Sequence, residues 1–205
     1  MATEHRAYEV LRQEGALEVR RYPAYATAKV TVSAGGHNEA AYRGFDALAN
    51  YIFGNNSSAG SIAMTAPVTT SRTRGTKIAM TAPVSSERIR NEQLASAAPL
   101  CTVGCEGGYV VRFTMPSHYA SAEDLPEPNN PQVSLESVPS HLAVATRFSG
   151  RMSDEAVADA VAELEQWIQQ EGLVAEGEPE AAQFDAPWKP GFARHNEVLI
   201  PLRTA

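Results

Sequence analysis

The side chains best suited to ligand or metal chemistry in this chain are five histidines, two cysteines and five methionines. His5, His37, His118, His141 and His195 are scattered, with no pair at the four-residue spacing that lets one helix face grip a metal. Cys101 and Cys105 stand as C-x3-C in a glycine-rich stretch without two further ligands nearby. They read as two reduced thiols, with a disulfide as the alternative. Met64 and Met80 occupy equivalent places in a heptapeptide, Ile62–Val68, that recurs letter for letter as Ile78–Val84. Methionine at such places fills irregular gaps in a core. No phosphate-binding glycine loop, nucleophile elbow or H-E-x-x-H motif occurs, and the spacing favours no Ser–His–Asp or Cys–His constellation.

The elements that would position these residues alternate between two periodicities. Tyr8–Gln13, Leu17–Arg21 and Tyr25–Val32 read as strands. From His37 to Phe53 the spacing becomes helical, with Ala41, Phe45, Leu48, Ala49 and Ile52 in one apolar stripe and Gly54 as the stop. The repeated heptapeptide predicts two antiparallel strands joined by a polar loop, with Pro67 and Pro83 at an edge or bulge. Tyr109–Met115 is a further strand, and Val133–Val138 with Leu142–Phe148 reads as a hairpin around Pro139-Ser140. Ser153 is an N-cap for a second helix bearing Val157, Val161, Leu164, Trp167 and Ile168, ended by Gly172. The acidic run Glu163–Glu180 reads as a wet helix face, and Glu197–Leu202 as the last strand. The expected architecture is α+β: one domain over 1–205 (core about 7–203), a distorted, mainly antiparallel β-barrel of two similar halves flanked by two helices.

Composition bounds the function. A chain of 205 residues with 43% hydrophobic and 20% charged residues can bury roughly 70% of its unfolded surface in one core without a metal or disulfide staple. A formal net charge of -7 opposes nucleic-acid binding. No apolar run reaches bilayer length, and the opening residues are charged where a signal peptide would be apolar. The expectation is a cytoplasmic monomer or weak oligomer.

Five segments, in order, resemble the SOUL/heme-binding-protein family along nearly the whole chain: YEVLRQEGALEVRRYP, GFDALANYIFGNN, the doubled IAMTAPV, VVRFTMPSHY and FDAPWKPGFARHNEVLIPL. The doubled IAMTAPV is similar to the microbial branch. The resemblance implies heme, and possibly metal-free porphyrin, held in an apolar groove beside the first helix. Tyr42, Phe45, Leu48, Ala49 and Ile52 would line the groove. Lys189 would supply a cation for the propionates, with Arg194 and Arg43 as weaker candidates and Phe192 as a wall. Arg21 stands where some relatives carry an iron-binding histidine, so His118, His195, Met64 or Met80 would have to serve, or no side chain would. A carrier or buffer of tetrapyrroles is the leading expectation. The alternatives are a heme-modifying enzyme (iron removal or peroxide chemistry) and a small-molecule sensor, since the two-half fold also resembles effector-binding domains of transcription regulators.

Overall fold

The computed structural model describes residues 4–58, 60–72, 108–185 and 189–203. In chain order the strands and helices are β1 (Glu4–His5), β2 (Glu9–Glu14), β3 (Leu17–Tyr22), β4 (Tyr25–Ser33), α1 (His37–Ile52), β5 (Thr65–Ala66), β6 (Val68–Arg72) and β7 (Gly108–Thr114). They continue with β8 (Val133–Val138), β9 (His141–Phe148), α2 (Asp154–Gln170), β10 (Glu180–Gln183) and β11 (Asn196–Leu202). Nine strands form one fully antiparallel sheet in the order β2-β3-β9-β11-β10-β6-β7-β4-β8, while β1 and β5 pair in parallel beside it. The α+β, two-helix architecture expected from periodicity is present. The sheet is barrel-like without being closed, because its outer strands β2 and β8 do not pair with each other.

Two related halves are visible in the strand order. Exchanging β3-β4-α1-β6-β7 for β8-β9-α2-β10-β11 reverses the order of the eight strands inside β2 and leaves it otherwise unchanged. Each helix is buried on three strands of its own half and on the first strand of the other, so β8 lies under α1 and β3 under α2. Leu48, Tyr51 and Ile52 of α1 pack with Ala28, Val30, Val111 and Phe113 in one core cluster. Val157, Leu164, Trp167 and Ile168 of α2 pack with Val144, Val198 and Ile200 in another. The alternate strand residues point to the face away from the helices, where Tyr22, Ala143, Ala145, Ala182 and Leu199 make a third, smaller cluster.

Three sequence expectations are corrected. β8 and β9 do not form a hairpin: β8 pairs with β4, while β9 lies between β3 and β11. Their apolar faces belong to different cores, Val133 and Leu135 under α1 and Val144 under α2, so the chain crosses from one core to the other at Pro139. The first IAMTAPV copy contributes the two-residue β5 and, after Pro67, whose peptide bond is cis, only Val68 at the start of β6. The second copy, Met80, Cys101, Cys105 and Trp188 lie outside the described residues. The acidic run is helical only to Gln170; Gly172, at φ 64°, turns the chain into a loop, and Glu180 begins β10.

The two helices meet at their N-termini. Gly36 precedes α1 and offers no capping side chain, and Asp154 at the start of α2 accepts a hydrogen bond from the His37 N–H at 2.9 Å. A Cβ on Gly36 would overlap that carboxylate, so only glycine permits the cross-cap. Gly36→Ala and Asp154→Ala are each expected to cost about 1 kcal/mol, the usual loss of an N-terminal acceptor. The double variant should cost little more than either single one in urea unfolding, because both remove the same contact.

Candidate functional site

The stripe read from helical spacing splits when α1 is seated. Leu48 and Ile52 are fully buried in the core beneath the helix, and Ala49 lies at the boundary. Tyr42 and Phe45 stay outside, 58% and 36% exposed. Phe53, 65% exposed, stands at the same helical phase as Tyr42, Phe45 and Ala49 but directly after the helix. The i+4 spacing from Ala49 was the signal that would have found it. The Phe45 ring meets the buried Phe113 ring edge-on, with centroids 5.4 Å apart. The result is an aromatic strip along the outer edge of α1, anchored at its middle. Beside its N-terminal end lies an open depression of about 660 Å³, lined by Tyr42, Arg43, Glu39, Arg151 and Met152 among others. Arg43 is engaged there by Glu39 and by the Ser33 carbonyl.

Lys189, Phe192 and Arg194 lie on the loop between β10 and β11. Lys189 Nζ pairs with Asp185 Oδ1 at 2.7 Å, and its carbonyl accepts from Arg194 Nε at 2.7 Å. Asp185 Oδ2 accepts from the His195 N–H at 2.6 Å, so one carboxylate braces both ends of the loop. The hydrogen bond from Lys189 holds that carboxyl below the usual carboxylate range. Phe192 projects outward, 86% exposed. Gln183, where the loop leaves β10, pairs with Val68, and Val68 pairs with Phe113. The loop therefore leaves the sheet level with the Phe45 contact.

The remaining metal-ligand candidates are dispersed. His118 is exposed and lies against Tyr119, with ring centroids 4.1 Å apart. Met64 is 36% exposed, two residues beyond Ile62, whose N–H donates to the α1 carbonyl of Ile52. Arg21 pairs with Glu9 at 3.0 Å on the exposed edge. Among the described residues no group of three His, Cys, Asp or Glu side chains could hold a metal ion. His37 is buried, its Nδ1 2.9 Å from Thr70 Oγ1, and burial lowers its pKa below the ordinary imidazole value.

His195 belongs to a different neighbourhood, on the sheet face away from the helices. Its Nε2 lies 2.7 Å from Glu197 Oε1, and its ring stacks on Phe184 with centroids 4.2 Å apart. Glu197, 1% exposed, accepts two hydrogen bonds from the equally buried Arg20, at 2.6 and 3.1 Å. Arg20 also donates to Glu18 and to the Tyr22 hydroxyl. Periodicity alone had not singled out this pair.

The family model described as SOUL heme-binding protein matches residues 3–75 and 69–201. The chain belongs to the SOUL heme-binding protein family. No curated protein matches it in sequence. Among solved structures, this SOUL protein superposes on the EcmrR C-terminal domain with a TM-score of 0.60 at 10% identity, covering 97% of this chain and 99% of that one. A hydrolase from Listeria innocua superposes with a TM-score of 0.57 at 11% identity, covering 94% of each chain. These likenesses establish a shared fold. For the SOUL chain itself, no helix among the described residues is long and apolar enough to cross a membrane.

Proposed function

We propose that this chain binds heme and related tetrapyrroles along the outer edge of α1 and serves as a non-catalytic carrier or buffer. The observation that carries the reading is the exposed aromatic strip of Tyr42, Phe45 and Phe53 in a member of a heme-binding family. A porphyrin is a flat apolar plate with two carboxylates at one rim, so it needs aromatic surface and a few cations. The strip supplies the surface. Arg151, lining the depression next to Tyr42, supplies a cation at one end, and Arg43 and Lys189 are alternatives if their pairings with Glu39 and Asp185 open.

The iron has no imidazole on this strip, and the position that carries histidine in some relatives is Arg21, paired with Glu9. Binding then rests on the plate. Hemin and iron-free protoporphyrin are expected to bind one-to-one with affinities within a few-fold of each other. Phe45→Ala removes one side of the plate's contact. Phenylalanine burial contributes about 1.5–3 kcal/mol, which corresponds to roughly ten- to hundredfold weaker binding. Titration followed by the Soret band tests this, with Phe192→Ala as a second variant. Failure of both ligands to shift the band in wild-type protein would sink the reading. Decay of bound heme to bilin or free porphyrin would replace the carrier with an enzyme.

A further inference from the structure

Residues 4–8 run as a strap over the sheet face opposite the helices. Their backbone is tied by the short β1–β5 ladder and by the Arg6 N–H donating to the Ala66 carbonyl at 3.1 Å. The side chains of His5, Arg6 and Tyr8 meet the sheet. The Arg6 guanidinium lies 4.3 Å from the ring centroid of Tyr22 and 5.1 Å from that of Tyr25, and Nη1 donates to the Tyr25 hydroxyl at 2.8 Å. His141 extends the aromatic wall, with its ring centroid 5.3 Å from that of Tyr22 and 6.0 Å from that of Tyr25. On the strap itself, His5 stacks on Phe184 and Tyr8 packs against Tyr22.

This is the arrangement in which a planar cation is recognised: ring faces for its charge and an in-plane acceptor for its N–H groups. The cations already built into the face do not oppose a guest, because each is matched. Arg20 is paired with Glu197 and Glu18. Arg112 lies 3.8 Å from both Glu180 and Glu136, and the Glu180 charge also acts on Arg6. On the same face as Tyr25, Thr27 Oγ1 is buried and lacks a hydrogen-bond partner among the described residues, which is unusual for a buried hydroxyl. The strap that fills the cage is held mainly by these side-chain contacts and little by its backbone. Its ladder is two residues long, and the β2 strand that follows is exposed along its whole length at the sheet edge, the kind of segment that opens locally at low cost.

We propose that this face carries a second binding site, for a small planar organic cation with a guanidinium or amidinium head, and that Arg6 occupies it as the chain's own stand-in until such a ligand displaces the strap. The site is on the opposite side of the sheet from α1, so it stands or falls independently of tetrapyrrole binding.

The test uses the full chain. In Arg6→Ala, methylguanidinium is expected to raise Tm saturably, with half-saturation at least about tenfold lower than in wild-type protein, where Arg6 competes. Methylammonium, which cannot stack, and N-methylurea, which has the shape without the charge, should not reproduce the effect. Equal responses of wild-type and Arg6→Ala, or an equal response to N-methylurea, would overturn the proposal. Should Arg6→Ala fail to fold, amide exchange in wild-type protein decides. Methylguanidinium should speed exchange of the Arg6 amide as the strap is displaced, and unchanged exchange at the highest non-denaturing concentration would overturn the site.

Discussion

Glu197→Ala is expected to destabilise the protein by about 3 kcal/mol, the lower end of the range for removing one member of a buried ion pair. Glu197 and Arg20 are both essentially inaccessible to solvent, and the carboxylate takes two of the guanidinium's hydrogen bonds. Deletion of the acid leaves a buried cation whose remaining acidic partner is Glu18, at 2.7 Å, which is why the loss should not reach the top of the range. Most of that cost is uncompensated charge, not net attraction. Arg20→Met combined with Glu197→Leu is therefore expected to be more stable than Glu197→Ala. The pH dependence fixes the sign. Burial alone would raise the Glu197 pKa, but hydrogen bonding and charge from Arg20 outweigh it and hold the value below the ordinary 4.5. A depressed folded-state pKa gives stability that is complete above about 4.5 and lost as pH falls through the folded value. The gap between wild type and Glu197→Ala in urea unfolding should thus shrink as pH falls below about 4.5. A gap that persists unchanged in strong acid would show that the carboxylate's charge is not what stabilises the fold.

The parts of this structure that were legible in the sequence are those determined by local periodicity. α1 and α2 run 16 and 17 residues, long enough for a 3.6-residue stripe to stand out, and Gly54 and Gly172 stop them in the left-handed region as glycine is expected to. Pairing was less legible, because strand order depends on which core an apolar face reaches. β8 and β9 are neighbours in sequence, yet they serve different helices. The Arg20–Glu197 pair spans 177 residues, and no window holds both. A partial signal existed nonetheless: Arg20 sits inside YEVLRQEGALEVRRYP and Glu197 inside FDAPWKPGFARHNEVLIPL, two of the segments that carry the family resemblance, each within a stretch read as a strand. The candidate groove was half legible. Spacing gave one stripe, but only the seating of the helix divides it into buried Leu48 and Ile52 and exposed Tyr42 and Phe45.

That seating depends on Gly44, where the second large effect is expected. Gly44 is buried on the face of α1 that meets β7, and a Cβ there would lie 2.6 Å from both Cβ and Cγ2 of Val111. Val111 is a wholly buried residue of β7, held between β4 and β6, so it has little room to give. Alanine would gain about 1 kcal/mol of helix propensity over glycine, yet the overlap costs about 1–3 kcal/mol, leaving Gly44→Ala neutral to destabilising by about 2. Gly44→Leu carries the same propensity gain with far more volume and should cost about 3 kcal/mol or more. Coupling identifies the cause: Val111→Ala, destabilising alone, should be partly suppressed when combined with Gly44→Ala, by roughly 0.5–3 kcal/mol in a double-mutant cycle. Phe45 is the next residue along, and its contact with Phe113 is made at the height Gly44 permits. In any Gly44→Leu protein that still folds, the lifted helix should part Phe45 from Phe113 and weaken hemin binding alongside stability, while Glu197→Ala, on the opposite face of the sheet, lowers stability with hemin affinity unchanged. If Gly44→Leu weakens the fold and leaves hemin affinity intact, the plate does not lie on this edge of α1.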